Sequence, residues 1–229
     1  MKILKKIVFC IAVCVFVFSG VTLFQYFNES KASQKEYIEK KEVMTLEQLH
    51  TENQDLYGWI SIEDTNIDYP VMFTPQDPEF YLRKNFQKED AQEGVPFVDG
   101  RTDMENSMST FIYGHQMKNG YMFNNITKYD QEGFYENHKE VVLETIEEGK
   151  KVYEVFAFGK TNTDAEDFNV YNYLNIYTAD QYDEFIRGAK DLTFCETDLI
   201  PQFGEKIIVL STCSYHHENG RYVLMAVEK

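Results

Sequence analysis

The sequence has few cysteines, few prolines and no cluster of basic residues. Its 229 residues include 4 Cys, 5 Pro and 12 Gly, against 18 Phe and 16 Tyr. Acidic residues outnumber basic ones by 38 to 22, and the net charge is −16. Because phosphate binding needs clustered lysine and arginine, this composition argues against nucleic acid as a partner. With so little glycine and proline, the 43% hydrophobic and 15% aromatic shares favour a strand-rich domain.

Signatures of several other functions are also missing. There is no Gly-rich phosphate loop, internal repeat or low-complexity segment, so nucleotide chemistry has no support. His216, His217 and Glu218 lack a second ligand cluster with zinc spacing, and we interpret them as solvated turn residues. A papain-like protease needs its histidine far downstream of the nucleophile, but only these two histidines follow Cys213. We therefore expect neither a metal nor a cofactor.

The longest hydrophobic run lies at the N-terminus. Residues 7–24 (IVFCIAVCVFVFSGVTLF) are apolar except for one serine and one threonine. As a helix, 18 residues span about 27 Å, close to the thickness of a hydrocarbon core. Three lysines precede the run and none follows it closely, which predicts a single-pass anchor with a cytoplasmic N-terminus. A cleaved signal peptide is the alternative, although the run is longer than a usual signal core.

The rest of the chain divides into a helical linker and a strand-rich domain. We expect residues 1–27 to be the tip and anchor, 28–56 the linker with N-terminal helices, and 57–229 the main domain. Thr45 followed by Gln48 resembles a helix start within the linker. Eight short apolar runs predict strands, and hence a closed barrel or a sandwich. These runs are 57–63, 66–73, 94–99, 108–115, 140–145, 151–159, 206–213 and 221–228.

Two segments between the predicted strands have helical patterns. The first is residues 120–137, and the second is residues 178–190, in which Tyr182, Phe185 and Ile186 share one face. The second segment lies in the stretch 160–205, which is longer than an ordinary connection. Connections of this length usually carry function or form a lid.

Three residues at predicted strand ends form a candidate catalytic set. Cys213 ends an apolar strand, where a rigid, half-exposed thiol can act as a nucleophile. His115 also stands where an apolar strand gives way to a polar loop. Arg221 opens the last strand eight residues after Cys213, so a hairpin would bring a permanent cation close enough to stabilise an oxyanion. Each has an ordinary alternative: a buried strand cysteine, a structural histidine and a surface salt bridge.

The remaining cysteines bear on whether Cys213 is reactive. Cys10 and Cys14 lie in the apolar run, so Cys195 and Cys213 are the two outside it. A secreted domain with two cysteines can join them in a disulfide, which would make Cys213 inert. The corresponding alternative function is a membrane-tethered, non-catalytic binding protein. We expect instead that Cys195 is free and buried.

The motifs around these residues resemble those of class B sortases. LSTC (210–213) is similar to the sortase signature TLxTC, with Val209 at its first Thr, and His115 (IYGH) and Arg221 match the other members of the Cys-His-Arg set. Further segments resemble class B sequence in the right order, across roughly 170 residues. They are NQDLYGWISI (53–62), NIDYPV (66–71) and HQMKNGYMFNNITKYDQEGFYENHKEV (115–141).

The hairpin after Cys213 departs from this resemblance. Some class B members carry an acidic residue two positions after the cysteine, where this chain has Tyr215. Their arginine stands about ten positions after it, whereas Arg221 stands eight positions after Cys213. The resemblance therefore supplies no catalytic carboxylate in this hairpin, and Glu218 is a poor substitute for one.

The resemblance implies a mainly β fold: an eight-stranded sortase barrel with N-terminal helices and a helical insert before the Cys-bearing strand. It implies a location in the cell membrane of a Gram-positive bacterium, with the catalytic domain extracellular. Cys213 would cleave an LPxTG- or NPxTN-like sorting motif of surface proteins, His115 would act as acid and base, and Arg221 would stabilise the oxyanion. An amine of the peptidoglycan cross-bridge or its lipid-linked precursor would then resolve the thioacyl enzyme. We expect Ser211, Thr212 and Tyr215 to contact the substrate.

Overall fold

Eight strands close into a barrel in the part of the chain that the computed structural model describes, residues 2–165, 168–194, 197–213 and 219–229. Around the barrel the strand order is β1-β2-β3-β4-β7-β8-β6-β5, and β5 pairs with β1 to close it. The β2–β3 and β4–β7 pairs are parallel and the others are antiparallel. The strands are β1 Leu56–Ser61, β2 Asp68–Met72, β3 Phe97–Val98, β4 Ser109–Tyr113, β5 Glu140–Thr145, β6 Gly149–Asn162, β7 Ile207–Cys213 and β8 Gly220–Glu228.

Each of the eight predicted strands is confirmed, with differences in length. β3 covers two residues instead of 94–99, because Gly94 has a φ of +58° and the Val95 amide donates to the Tyr81 carbonyl outside the sheet. β6 is longer than predicted, at 14 residues, because its first part pairs with β5 and most of its length pairs with β8. Of the two architectures that the eight runs predicted, the structure has the closed barrel, which the family resemblance also implied.

The linker continues the N-terminal helix without a break. Helix α1 covers Lys2–Val43 and contains the apolar segment Leu4–Phe24, which is long and apolar enough to cross a membrane, as a signal sequence also would be. Helix α2, Leu46–Glu52, begins as predicted at Thr45, whose Oγ1 accepts from the Gln48 amide while the Gln48 side chain accepts from the Thr45 amide. The division of the chain at residues 27 and 56 remains a prediction.

The two predicted helical inserts have different outcomes. Residues 120–137 form a 3-10 helix, Phe123–Asp130, and one turn of α-helix, α3 Phe134–Asn137, separated by Gly133 with a φ of +79°. The second insert forms helix α4, Ala179–Leu192, with Thr178 as its N-cap. The predicted apolar face of α4 is buried.

The hydrophobic core has two parts, on either side of the sheet. Alternate residues of β7 belong to different parts: Ile208 and Leu210 lie in the larger cluster of the barrel, and Ile207 and Val209 lie in a second cluster with α4. A strand that is buried on both faces has an uninterrupted apolar sequence, which explains the run IIVL. The site-bearing strand is thus held firmly from both sides.

Candidate active site

The C-terminal ends of β4 and β7 and the start of β8 meet at one end of the barrel. β4 and β7 are parallel neighbours, with Tyr113 opposite Ser211, and the Gly114 amide donates to the Ser211 carbonyl at 3.1 Å. On the other side of β7, Cys213 and Arg221 are register partners on antiparallel strands. The fold therefore brings the backbones of the predicted catalytic residues to one place. For Cys213 only the backbone lies within the described structure.

A cavity of about 630 Å³ opens at this end of the barrel. Its walls come from β4, β7 and β8, from the 3-10 helix Phe80–Arg83, from the region of β3, and from the long insert after β6. Its lining residues are Pro78, Glu79, Leu82, Phe97, Asp99, Arg101, Tyr113, Gly114, His115, Thr163, Tyr171, Ser211, Thr212 and Arg221. His115 and Arg221 thus share one cavity.

His115 is half-buried and held in place on two sides. Its Nε2 lies 2.8 Å from the Leu82 carbonyl oxygen, and its own carbonyl accepts from the Phe123 amide at 3.0 Å. Gly114 permits this arrangement, because a Cβ there would lie 2.6 Å from the Phe123 ring. Burial lowers the pKa of His115 below its ordinary value, and the hydrogen bond to Leu82 offsets this in part.

Arg221 is the second residue of β8. It is half-buried, and its Nη1 donates to the Gly220 carbonyl at 2.9 Å. Its backbone position is paired with Cys213 on one side and with Thr161 of β6 on the other. The residue is therefore fixed between two neighbouring strands at the edge of the cavity.

An ion pair between the buried Asp99 and the largely exposed Arg101, which the sequence analysis did not single out, forms another wall. Asp99 is 4% exposed and accepts two side-chain hydrogen bonds from Arg101, at 2.9 and 2.7 Å, and one from the Tyr113 hydroxyl at 3.0 Å. Burial alone would raise the pKa of Asp99, but the hydrogen bonds from Arg101 and Tyr113 and the charge of Arg101 together outweigh it, so the pKa lies below its ordinary value. Burial and the nearby Asp99 raise the pKa of Tyr113, so its hydroxyl stays protonated.

The long insert contributes Tyr171, a third aromatic residue of the wall beside Phe97 and Tyr113. Its ring stacks on Tyr113 with centroids 6.4 Å apart, and its hydroxyl shares a hydrogen bond of 2.7 Å with the Ser211 Oγ. Ser211 and Thr212, both expected to contact substrate, are buried residues that line the cavity. The Thr212 Oγ1 has no hydrogen-bond partner among the described residues.

Some sequence-based predictions fall on residues outside the described structure. Tyr215, His216, His217 and Glu218 belong to the segment after Cys213, and Cys195 belongs to the insert. Their predicted roles stay predictions, as does the absence of a disulfide between Cys195 and Cys213. Within the described ranges, no group of three or more His, Cys, Asp or Glu side chains is arranged to hold a metal ion.

The sequence contained signals for three cavity residues that the sequence analysis did not select, Asp99, Arg101 and Tyr171. Asp99 ends the predicted strand 94–99 and Arg101 follows it closely, at a strand end where polar residues often enter a site. Tyr171 lies in the stretch 160–205, whose length already indicated a functional role.

Comparison with known proteins agrees with this fold and site. A family model described as a sortase domain matches residues 60–229. Sortase B of Listeria monocytogenes is 30% identical over 228 residues, covering 92% of this chain and 90% of that protein. Solved structures of sortase B from Bacillus anthracis and Clostridium perfringens are each 28% identical, with TM-scores of 0.76 and 0.73. The first comparison covers 90% of this chain and 98% of the other, and the second covers 81% and 100%.

The chain therefore belongs to the sortase family of cysteine transpeptidases, and within that family to class B. Membership confirms the resemblance read from the LSTC, IYGH and NQDLYGWISI motifs. It also confirms the prediction of an enzyme and counts against the alternative of a non-catalytic binding protein.

Proposed function

We propose that Cys213 is the nucleophile of this transpeptidase, His115 its general acid and base, and Arg221 its oxyanion stabiliser. The observation that carries the proposal is the register of β4, β7 and β8 at the cavity. Cys213 and Arg221 are paired on adjacent antiparallel strands, and register partners project from the same face of a sheet. His115 and Cys213 each stand two residues beyond a register pair of the parallel strands β4 and β7.

In the first half of the reaction, the Cys213 sulfur attacks the carbonyl carbon of a threonine in the sorting motif. Because the pKa of His115 is lowered, its imidazole is largely neutral near pH 7 and is able to take the thiol proton. The carbonyl oxygen becomes an oxyanion, which the Arg221 guanidinium stabilises. When the intermediate collapses, the C–N bond breaks and His115 gives its proton to the leaving amine, which leaves a thioester on Cys213.

In the second half, an acceptor amine attacks the thioester. Neutral His115 takes a proton from the attacking nitrogen, an amide bond forms, and the C–S bond breaks. The sulfur leaves as a thiolate and the surface protein is now joined to the acceptor. We propose that the acceptor is an amine of the peptidoglycan cross-bridge or of its lipid-linked precursor, and that the cleaved motif is of the LPxTG or NPxTN kind.

The N-terminal segment completes the proposal. Leu4–Phe24 would anchor the protein in the membrane of a Gram-positive cell, with the barrel outside. Beyond this segment α1 packs against the barrel, where Tyr37 is buried and Lys41 forms an ion pair of 2.8 Å with Asp68 of β2. Such packing would hold the barrel close to the membrane, where surface proteins and lipid-linked acceptors are found.

The test is cleavage of synthetic LPxTG and NPxTN peptides by the full chain in detergent, with and without a small acceptor amine. We expect Cys213→Ala to abolish both cleavage and amine-dependent product, while Cys195→Ala, a matched loss of one thiol, keeps both. Circular dichroism would check that both variants are folded. Turnover in Cys213→Ala above a few per cent of wild type would refute the assignment of the nucleophile.

A further inference from the structure

We infer that the backbone carbonyl of Leu82, kept in place by Gly94, orients the His115 imidazole for catalysis. The carbonyl takes the place that a carboxylate has in a Ser-His-Asp triad, where it fixes the tautomer of the histidine. The inference rests on the proposed acid–base role of His115. It makes Gly94 a positioning residue, which acts on the reaction only through Leu82 and His115.

The hydrogen bond itself determines which ring nitrogen carries hydrogen. The His115 Nε2 lies 2.8 Å from the Leu82 oxygen, and a carbonyl oxygen only accepts, so Nε2 is the donor. In the neutral ring, Nδ1 then has the lone pair and is the nitrogen that takes up and releases the catalytic proton. Among the described residues, no carboxylate accepts a hydrogen bond from His115.

The two carbonyls that flank Leu82 are already occupied. The Tyr81 carbonyl accepts from the Val95 amide at 3.2 Å, and the Arg83 carbonyl accepts from the Ala91 amide at 3.0 Å. These bonds join the 3-10 helix to the chain that returns toward β3. The Leu82 carbonyl lies between them and is directed to His115 instead.

Gly94 allows this close approach of two backbone segments. A Cβ at position 94 would lie 2.5 Å from the Tyr81 oxygen and 2.6 Å from the Leu82 oxygen. It would also lie 2.9 Å from the Leu82 carbonyl carbon. Because these are all backbone atoms, they cannot rotate away as the end of a side chain would. Any other residue at position 94 would therefore displace the carbonyl on which His115 depends.

Charged groups around His115 change its pKa but do not select the tautomer. Arg83 lowers the pKa and Glu93 raises it. Arg221 and Glu79 line the same cavity. A distant charge acts on both ring nitrogens, whereas a hydrogen bond acts on one, so the tautomer is a measurement specific to the Leu82 contact.

The first test is nitrogen-15 NMR of histidine-labelled full chain in detergent micelles, at a pH where His115 is neutral. The His115 signals are assigned by their loss in His115→Ala. We expect the Nε2–H tautomer in the wild type. A wild type with the Nδ1–H tautomer would overturn the inference without involving any variant, so the test does not depend on a variant folding.

The second test compares Gly94→Ala with Gly149→Ala. Both glycines have positive φ, +58° and +70°, but a Cβ at Gly149 meets nothing within 4 Å. Gly149 is the first residue of β6, and the cavity lies at the other end of that strand, next to Thr163. The control therefore introduces the same kind of backbone strain far from the site.

We expect Gly94→Ala to lose the single tautomer and to lower kcat by about tenfold or more, with KM nearly unchanged. The pKa of His115 should fall further, because burial remains while the hydrogen bond that raises it is lost. Gly149→Ala should match the wild type in both the His115 tautomer and kcat. Wild-type kcat and tautomer in a folded Gly94→Ala would overturn the inference. If His115→Ala kept full activity, the proposed acid–base role would fall instead, and the tautomer result would stand.

Discussion

The two ends of β6 show two different uses of polar residues. Near its start, Lys151 forms ion pairs with Glu148 and Glu228, and the three side chains are 27%, 49% and 25% exposed. Near its other end lies the cavity, where Asp99 is 4% exposed. Ion pairs in solvent contribute about 1 kcal/mol or less, whereas a buried polar group without its partner is costly.

The difference also appears in the ionisation of the two ends. Hydrogen bonds from Lys151 to Glu228 and Glu148 raise the pKa of Lys151, which keeps a charge that is already stable in water. At the cavity, burial lowers the pKa of His115 and makes its neutral form available near pH 7. Polar groups near Lys151 are therefore paired in contact with solvent, whereas those at the cavity are buried or half-buried and include a histidine whose lowered pKa suits a reactive site.

The largest effect that we expect at the cavity is from loss of His115. His115→Ala should reduce kcat/KM by at least about 10²-fold, the lower end of general acid–base contributions. His216→Ala and His217→Ala are the controls, because these two histidines are nearer to Cys213 in sequence and are the rival candidates. As solvated turn residues, they should reduce kcat/KM far less when they are replaced. Peptide cleavage rates of the three variants would decide. If the two control variants were the inactive ones, the acid–base role would belong to the hairpin.

Loss of Arg221 should have the next largest effect, and it should lower kcat more than it raises KM. Arg221→Ala should lower kcat by about 10²–10³-fold if the guanidinium stabilises the oxyanion. Arg221→Lys should rescue poorly, because an ammonium lacks the planar donor fork. Values of kcat and KM for both variants test this. A raised KM with normal kcat would instead assign Arg221 to ground-state binding.

Arg101→Met tests through protein stability whether the ion pair of the buried Asp99 contributes more than the exposed ion pairs of Lys151. Hydrogen bonds to a charged group contribute about 1.5–3 kcal/mol, and we expect the lower end because Arg101 is largely exposed. Lys151→Met, the matched change near the start of β6, should cost under about 1 kcal/mol. Urea unfolding of both variants at neutral pH measures the difference. Equal losses of unfolding free energy in the two variants would show that the ion pair at the cavity contributes no more than the exposed pairs of Lys151.

The pH dependence of the Arg101 effect has a definite sign. The pKa of Asp99 is lowered in the folded protein, so its contribution to stability is present above the unfolded pKa of about 3.9. It is lost as the pH falls through the folded value. The gap in stability between wild type and Arg101→Met should therefore be full at neutral pH and shrink in acid.

The smallest expected effect concerns Thr212, whose buried hydroxyl lacks a partner among the described residues. If that hydroxyl forms a hydrogen bond with the substrate, Thr212→Val should raise KM by roughly 2- to 12-fold. This change corresponds to about 0.5–1.5 kcal/mol of binding free energy. Stability should be unchanged or slightly higher. Thr102→Val is the control, since Thr102 has a similar buried hydroxyl but does not line the cavity. An unchanged KM would remove Thr212 from the substrate site.

The sequence predicted the eight strands well because each strand carries a local pattern, and the family resemblance favoured the barrel over a sandwich. The run before Cys213 is apolar because β7 is buried on both faces, and His115 and Arg221 stand at recognisable strand boundaries. Sequence order was enough to place all three at strand ends. That the same ends meet at one cavity depends on strand order, which the family resemblance supplied.

Other parts of the site could not be predicted, because they depend on contacts between distant segments. Tyr171 and Ser211 are 40 residues apart, and their hydrogen bond exists only once the insert folds over β7. The support of His115 comes from a main-chain carbonyl at Leu82, and a carbonyl has no side-chain signature. The continuity of α1 was also missed, because the change from apolar to polar residues indicates a change of environment and not a break in the helix.

Trapping the covalent intermediate tests directly whether Cys213 is the nucleophile. The full chain in detergent is mixed with a sorting-motif peptide without acceptor amine, quenched in acid, digested and mapped by mass spectrometry. We expect a thioester between the N-terminal peptide fragment and Cys213, present in wild type and Cys195→Ala and absent in Cys213→Ala. An adduct on Cys195, or cleavage that persists in Cys213→Ala, would contradict it.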